Sequence, residues 1–289
     1  MSVFPSPDPT SVIATRLREA GCVFAEDEAR LLISAAPTPA ELDAMVDRRA
    51  AGEPIEHVLG WAEFCGLRIA VDPGVFVPRR RTEFLVRQAV TLARQAAKAA
   101  GQAAKAAGQA PARPRVFVVD LCCGSGAIGA ALAAALDGAE LHAVDVDPAA
   151  VRCARRNVAA SGGQVYEGDL YQPLPATLRG RVDVLVANAP YVPAGAIGLL
   201  PPESRIHEPR VAVDGGADGL DILRRIAAAA PLWLAPGGHL LAETSERQAP
   251  QAVGAFARSG LIPRVASSSE LNATVVIGTR PAPSSGPGG

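Results

Sequence analysis

The chain has 289 residues, of which 49% are hydrophobic and 20% charged, as is typical of a globular protein that buries a core. A formal net charge of −1 gives no electrostatic signature for nucleic acid. We expect a cytoplasmic protein, because no apolar run approaches the ~18 residues of a membrane span and no signal peptide is evident. Five cysteines without metal-ligand spacing favour free thiols and no metal.

The N-terminal part predicts a small helical domain. Residues 11–49 carry apolar side chains at helical spacing, and residues 67–77 alternate like a strand that leads into a hairpin. We assign residues 11–75 to this helical domain and its linker hairpin. Residues 1–10 and 280–289 are rich in Pro, Gly and Ser, and are predicted to be disordered.

A repeat lies in the middle of the chain. A helix is predicted over residues 82–95, and AAKAAGQAAKAAGQA follows it, two copies of a seven-residue unit. The repeat has no large apolar side chain to bury, so an extended helix and a flexible linker both fit it. We interpret residues 95–112 as an insertion without a catalytic role.

From residue 115 onward, strands and helices alternate. The predicted strands are residues 116–120, 140–145, 164–168, 182–187, 239–243 and 273–279, and the predicted helices are residues 127–136, 148–160, 220–234 and 247–259. The strands are apolar without interruption, which indicates that both faces of the sheet are covered. The pattern predicts a doubly wound α/β domain whose ligand lies beyond the carboxyl ends of its strands.

A glycine-rich loop follows the first of these strands. Gly124 to Gly129 read G-x-G-x-x-G, and Gly124 and Gly126 let the backbone approach a ligand at a helix N-terminus. Asp145, at the end of the next strand, can accept hydrogen bonds from both hydroxyls of a ribose. A dinucleotide and S-adenosyl-L-methionine (SAM) both fit these two features.

Two further carboxylates favour SAM. Asp120, at the end of the first strand, would repel the pyrophosphate of a dinucleotide, whereas SAM has no phosphate and carries a cationic amino group and a sulfonium. Asp169, after the third strand, is placed to accept a hydrogen bond from the adenine amine. We therefore predict SAM as the cofactor.

Segments between about residue 50 and residue 278 resemble the HemK/PrmC family of glutamine methyltransferases, which modify release factors. The segment FVPRRRTE is similar to the family's Ile-Pro-Arg-Pro-x-Thr-Glu, with Arg80 where proline is usual. DLCCGSGAIG is similar to its Asp-Leu-Gly-Thr-Gly-Ser-Gly loop, with Cys122 in place of a glycine. GDLYQPL and HEPRVAVDGGADGLDILRRI are further close matches.

The resemblance implies a Rossmann-like, seven-stranded SAM-dependent methyltransferase domain over residues 76–279, after an N-terminal domain that recognises the substrate. Together with the carboxylates and glycines above, it assigns a set of residues to cofactor binding: Asp120, Cys122, Gly124, Gly126, Asp145, Val146, Asp169, Leu170 and Asn188.

The strand at residues 182–187 ends in Asn188-Ala189-Pro190-Tyr191. Taken alone this is an ordinary turn, but the family has Asn-Pro-Pro-Tyr here, and enzymes that methylate the exocyclic amine of adenine carry a similar motif. Both substrates present a planar nitrogen whose lone pair is delocalised. Asn188 Oδ1 and the Ala189 carbonyl can accept its two N–H hydrogens, Pro190 stiffens the turn, and Tyr191 offers a flat wall. We predict these four residues as catalytic.

The resemblance implies that a protein glutamine is methylated, usually in the Gly-Gly-Gln loop of a release factor, by a monomer without stable nucleic-acid or membrane partners. A nucleic-acid adenine methyltransferase, a NAD-dependent oxidoreductase and a SAM-binding scaffold are the alternatives. His207 and Glu208 are interpreted equally well as lid residues over the site and as packing and capping residues.

Overall fold

The structure, a computed structural model, describes residues 8–106 and 116–282. Its N-terminal part is a bundle of helices around Leu17, Leu32 and Val46. These helices are α1 (Pro9–Glu19), α2 (Ala25–Ala35), α3 (Pro39–Ala50) and α4 (Ile55–Leu59). The prediction of disorder was wrong for residues 9 and 10. The side chain of Asp8 accepts a hydrogen bond from the N–H of Thr10 and caps α1, which has a proline in its first turn.

The linker hairpin starts earlier than predicted. Strands β1 (Trp61–Phe64) and β2 (Leu67–Ala70) pair antiparallel around a two-residue turn. Both turn residues, Cys65 and Gly66, have positive φ values, 51° and 73°, as a twisted two-residue hairpin requires. The N–H of Cys65 donates to Oε1 of Glu83 at 3.2 Å, which ties the hairpin to the next helix.

The helix after the hairpin is longer than the predicted one. A short 3-10 helix (Arg80–Thr82) leads into α5 (Glu83–Ala106). Part of the alanine-rich repeat is therefore a continuation of α5, and residues 107–115 lie outside the described residues. Leu85, Val86 and Ala89 are the buried face of α5, and this face anchors its first turns against the central sheet.

The C-terminal part is a seven-stranded sheet in the order β5-β4-β3-β6-β7-β9-β8, in which β9 is antiparallel to both neighbours. The strands are β3 (Phe117–Leu121), β4 (Glu140–Asp145), β5 (Gln164–Glu167), β6 (Val182–Ala187), β7 (Leu234–Thr244), β8 (Ile262–Ser268) and β9 (Ala273–Thr279). The helices are α6 (Ala127–Ala135), α7 (Pro148–Val158), α8 (Pro202–His207), α9 (Arg210–Val213), α10 (Asp221–Trp233) and α11 (Ala249–Arg258). This confirms the predicted Rossmann-like fold.

Helices cover both faces of the sheet. Along β3, Val118 packs into the core beneath α5 and α6, and Val119 packs into the opposite core beneath α10 and α11. The direction in which the chain adds strands reverses between β3 and β6, which opens a crevice beyond their carboxyl ends. Among the helices of the described ranges, none combines the length and the apolarity that crossing a membrane requires.

Candidate active site

A cavity of about 470 Å³ lies in this crevice. Its floor is formed by residues at or just beyond the ends of four neighbouring strands: 122–125 after β3, 145–147 at the end of β4, 168–170 after β5, and Asn188 and Pro190 after β6. Its walls come from elsewhere in the chain. Phe76, Pro78 and Thr82 belong to the linker, which is used from here on for residues 71–82 between β2 and α5, and Pro209, Arg210, Val211, Ala212 and Asp214 belong to the α9 segment. The cavity thus brings most of the predicted site residues together.

The glycine loop is shaped by residues in the left-handed backbone region. Gly124 and Gly126 have φ values of 54° and 78°. A Cβ on Gly126 would lie 3.0 Å from the Cα of Ala154, so this glycine allows α6 and α7 to pack closely. Cys122 has φ 57° although it bears a side chain, which explains why a glycine suits this position in the resembling family. Burial raises the pKa of the Cys122 thiol, which keeps it protonated.

Asp145 holds the loop and faces the cavity. Its Oδ2 accepts from the N–H of Gly124 at 2.8 Å, and its Oδ1 accepts from the N–H of Asp147 at 2.9 Å. Burial raises the pKa of this carboxyl, and the two N–H donors oppose that rise. A carboxylate oxygen can accept a second hydrogen bond, so both oxygens retain the capacity to bind ligand hydroxyls.

Asp120 lies beneath the loop and does not line the cavity. It is fully buried, and its Oδ2 accepts from the N–H of Gly129 at 2.9 Å. Oδ1 has no hydrogen-bond partner among the described residues. Burial, together with the charge of Asp145, raises the pKa of Asp120 to about 7. A buried carboxylate oxygen without a donor, behind a ligand cavity, suits a ligand that carries positive charge, as SAM does.

Near Asp145, the cavity is lined by one carboxylate, Asp169, and by two apolar side chains, Val146 and Leu170. Half of the Val146 surface is exposed. Asp169 forms an ion pair with Arg225, whose Nη2 lies 2.5 Å from Oδ2. The sequence did not single out Arg225. Its only signal was its position in the segment LDILRRI, which matched the family.

The turn at residues 188–191, named the acceptor turn from here on, lies partly at the cavity and partly in the protein interior. Asn188 and Pro190 line the cavity, whereas Ala189 is buried in the core and Tyr191 lies outside the lining. The amide Nδ2 of Asn188 donates to Oγ1 of Thr82 at 3.3 Å. One of the two N–H groups of Nδ2 is thereby used, and Oδ1, which has no hydrogen-bond partner among the described residues, can accept.

Tyr191 is held from three sides. Its hydroxyl accepts from Arg81 at 2.5 Å, its ring lies 5.9 Å from the Arg81 guanidinium carbon, and its carbonyl accepts from Nε2 of Gln248 at 3.0 Å. Arg81 also donates to Oε1 of the buried Glu243 at 3.1 Å. The structure therefore shows Tyr191 as an anchor of the turn, in a different position from the flat wall that the sequence suggested.

Ion pairs connect the N-terminal helices and the linker to residues 203–208, which precede the α9 segment of the cavity wall. Arg49 is buried and contacts Glu28 at 2.7 Å and Glu203, in α8, at 2.6 Å. Arg79 contacts both oxygens of the buried Glu208, at 2.6 and 2.7 Å. Glu208 is thus the partner of Arg79, and residues 209–212, which follow it, reach the cavity. His207 is not among the lining residues.

No group of three or more His, Cys, Asp or Glu side chains suited to a metal ion occurs in residues 8–106 and 116–282.

The comparisons with known proteins agree with this geometry. The methyltransferase small domain family matches residues 108–199. The release factor glutamine methyltransferase of Geobacter sulfurreducens is 40% identical over 227 residues, which are 77% of this chain and 72% of that protein. The 4-amino-L-phenylalanine/4-methylamino-L-phenylalanine methyltransferase of Streptomyces pristinaespiralis is 35% identical over 226 residues, 78% of this chain and 73% of that protein.

Among solved structures, the protein-(glutamine-N5) methyltransferase (release factor-specific) of Alicyclobacillus acidocaldarius is similar, with 24% identity and a TM-score of 0.40 over 71% of this chain and 94% of that one.

The seven-stranded fold, the glycine loop and these relatives define a SAM-dependent methyltransferase. Its cofactor is SAM, as predicted. The chain belongs to the release factor glutamine methyltransferase family. The relatives do not favour the oxidoreductase or the nucleic-acid methyltransferase.

Proposed function

We propose that this enzyme methylates the side-chain amide nitrogen of a glutamine in a peptide chain release factor, within its Gly-Gly-Gln loop. The observation that carries the proposal is the shared cavity: Asn188, with its amide oxygen free, lies in the same cavity as Asp145 and the glycine loop. An acceptor amide and a methyl donor can therefore meet there. The names of most of the similar relatives support the choice of acceptor.

We assign the cofactor side of the cavity as follows. When bound, SAM supplies an electrophilic methyl group on a positively charged sulfur. Asp145 would accept hydrogen bonds from the ribose hydroxyls, and Val146 and Leu170 would supply apolar contacts to the adenine. Asp169, fixed by Arg225, would accept from the adenine amine. Asp120 contributes negative charge from below the loop, not a direct wall of the cavity.

The acceptor side prepares a poor nucleophile. The lone pair of an amide nitrogen is delocalised into the carbonyl, so the nitrogen must become more pyramidal before it can attack. Oδ1 of Asn188 and the carbonyl oxygen of Ala189 accept its two hydrogens and favour that geometry in the transition state. Pro190 has no N–H and restricts the turn. Transfer leaves the methylated nitrogen with both of its hydrogens and a positive charge. This cation is strongly acidic and releases one proton to water, which gives the neutral N-methyl amide.

Tyr191 supports this chemistry from outside the cavity. Its hydroxyl is bound to Arg81 and its carbonyl to Gln248, and these contacts hold the end of the acceptor turn in place. Proximity and orientation contribute most of the rate enhancement in such a site, because no covalent intermediate is formed.

We further propose that the enzyme acts as a monomer in the cytoplasm, without stable contact to nucleic acid. The proposed substrate acts in translation, and the net charge of −1 offers no general attraction to phosphate backbones. Size-exclusion chromatography with light scattering measures the oligomeric state.

The test is methyl transfer from labelled SAM to a purified bacterial release factor, followed by mass mapping of the labelled peptide. We expect one methyl group on the glutamine of the Gly-Gly-Gln loop, and none on a control release factor with asparagine at that position. 4-Amino-L-phenylalanine is assayed in parallel, because a relative in the comparisons is named for it. Label on that amino acid alone, or on neither acceptor, would overturn the proposal.

A further inference from the structure

The direction in which the Asn188 amide points matters for the reaction. An asparagine side chain has an accepting oxygen on one side and a donating NH₂ on the other. The proposed reaction needs the oxygen beside the acceptor nitrogen. The Asn188 NH₂ group in that place would face the N–H groups of the acceptor amide, and two donors cannot form a hydrogen bond with each other. Within the part of the chain that the structure describes, the acceptor turn itself supplies no hydrogen bond that fixes this choice.

The contact comes from a distant part of the chain. Nδ2 of Asn188 donates to Oγ1 of Thr82 at 3.3 Å, across a separation of 106 residues. Both side chains line the same cavity. Within the described residues, neither side chain has another hydrogen bond, so this contact is the one that orients the Asn188 amide.

Thr82 is held rigidly. It is 2% exposed, and its N–H donates to the carbonyl of Arg79 at 2.9 Å. Two arginines just before it in the chain are themselves bound, Arg79 to Glu208 and Arg81 to Glu243. Helix α5 begins at the next residue and is packed against the sheet. The hydroxyl therefore sits at a fixed point beside the acceptor turn.

We propose that Thr82 is a positioning residue: its hydroxyl accepts from Nδ2 of Asn188 and so turns Oδ1 toward the acceptor nitrogen. This inference rests on the proposed function. Without the hydroxyl, the NH₂ group loses its partner and the amide is free to invert. The contact is a single neutral hydrogen bond, so its loss lowers kcat about 3- to 10-fold.

Kinetics with SAM and the release factor test the proposal. Thr82→Val keeps the shape of the side chain without the hydroxyl, and Thr82→Ser keeps the hydroxyl. Thr91→Val is the matched control, since Thr91 lies in α5, which begins just after Thr82, and its hydroxyl bonds only to the Arg87 carbonyl within the described residues. We expect kcat to fall in Thr82→Val alone, with the Kd of SAM unchanged. A wild-type kcat in Thr82→Val, a serine variant as slow as the valine variant, or an equal loss of SAM affinity would overturn it.

A second measurement needs no acceptor. The chain has three asparagines, Asn157, Asn188 and Asn272, so ¹⁵N-asparagine labelling gives three side-chain NH₂ signals, and Asn188→Ala assigns the relevant one. Asn157 is an internal control, because its Nδ2 donates to two backbone carbonyls at 2.8 Å.

We expect the Asn188 signal to shift and to exchange faster with water in Thr82→Val, and to return in Thr82→Ser. An unchanged Asn188 signal would contradict the positioning role. A wild-type enzyme that methylates no release factor would contradict the proposed function alone.

Discussion

The two sides of the cavity are built differently. On the cofactor side, the contacts that shape the loop join residues close in sequence: Asp145 binds the N–H groups of Gly124 and Asp147, and Asp120 binds that of Gly129. On the acceptor side, the turn is held by Thr82, Arg81 and Gln248, which are 106, 110 and 57 residues from their partners.

This difference indicates that SAM binding and the orientation of the acceptor amide depend on different contacts. A loop fixed by carboxylates at the ends of β3 and β4 forms a cofactor site whenever these strands pair. A turn fixed by distant side chains forms correctly only when the linker and α5 are docked on the sheet. We therefore expect substitutions on the cofactor side to change SAM affinity and substitutions on the acceptor side to change the rate of transfer. The following changes test that separation.

The largest effect is expected for Asn188→Ala. Removal of one preorganised hydrogen-bonding group from a transition state typically costs ~10²–10³ in rate, so kcat should fall by about that factor. The Kd of SAM, measured by calorimetry, should stay near that of the wild type. A purified variant with normal turnover would show that the turn only ends β6 and has no catalytic role.

Asp145→Ala should show the opposite pattern. Hydrogen bonds to a charged acceptor contribute roughly 1.5–3 kcal/mol, so SAM should bind about 10- to 100-fold more weakly. At saturating SAM, kcat should be largely retained. Calorimetry measures the Kd of SAM, and saturation kinetics measure kcat. A loss of kcat without weaker SAM binding would contradict the expectation that cofactor-side residues affect affinity alone.

Asp120 should make SAM affinity depend on pH. Its pKa is raised to about 7, so the carboxyl is mostly neutral at pH 6 and mostly ionised at pH 8. If the ionised form attracts the cationic cofactor, affinity rises by up to about tenfold over that interval. In Asp120→Asn this increase in SAM affinity with pH should be absent. If the variant kept the wild-type pH dependence, Asp120 would not be the group that controls SAM affinity.

The same carboxyl should affect folding in the absence of SAM. Its pKa is higher in the folded chain than in the unfolded chain, so the stability that the protonated group contributes is complete below about pH 4 and is lost as the pH rises through 7. Relative to Asp120→Asn, the wild type should therefore become less stable between pH 4 and pH 8. Urea unfolding at several pH values measures the difference.

Ala189→Pro, which restores the family motif, should have the smallest effect. No hydrogen bond of the Ala189 N–H occurs in the part of the chain that the structure describes, so proline removes no hydrogen bond there. Restriction of the unfolded chain should stabilise the protein by ~0.4–1 kcal/mol, with turnover maintained. Thermal unfolding and the release factor assay measure both. A strong loss of stability would mean that the turn has another backbone shape than the family motif needs.

Some elements were predictable because their signals are local. The bounds of β4, β6 and β9 match the predicted bounds, because each strand is a short, mostly apolar run. Strand β8 was not found, because it lies at the sheet edge with mostly exposed side chains and contains Pro263. The first hairpin strand was missed because WAEF is too short to show alternation.

The sequence by itself determined the doubly wound sheet, the cofactor loop and the positions of Asp145, Asp169 and Asn188 at strand ends, because strand periodicity and loop chemistry act over a few residues. Only the tertiary structure decided that Asp120 lies beneath the cavity, that Tyr191 anchors the turn through Arg81, and that Thr82 meets Asn188. These contacts join residues about a hundred positions apart. Their geometry depends on how the linker and α5 pack on the finished sheet, and no local pattern encodes that packing.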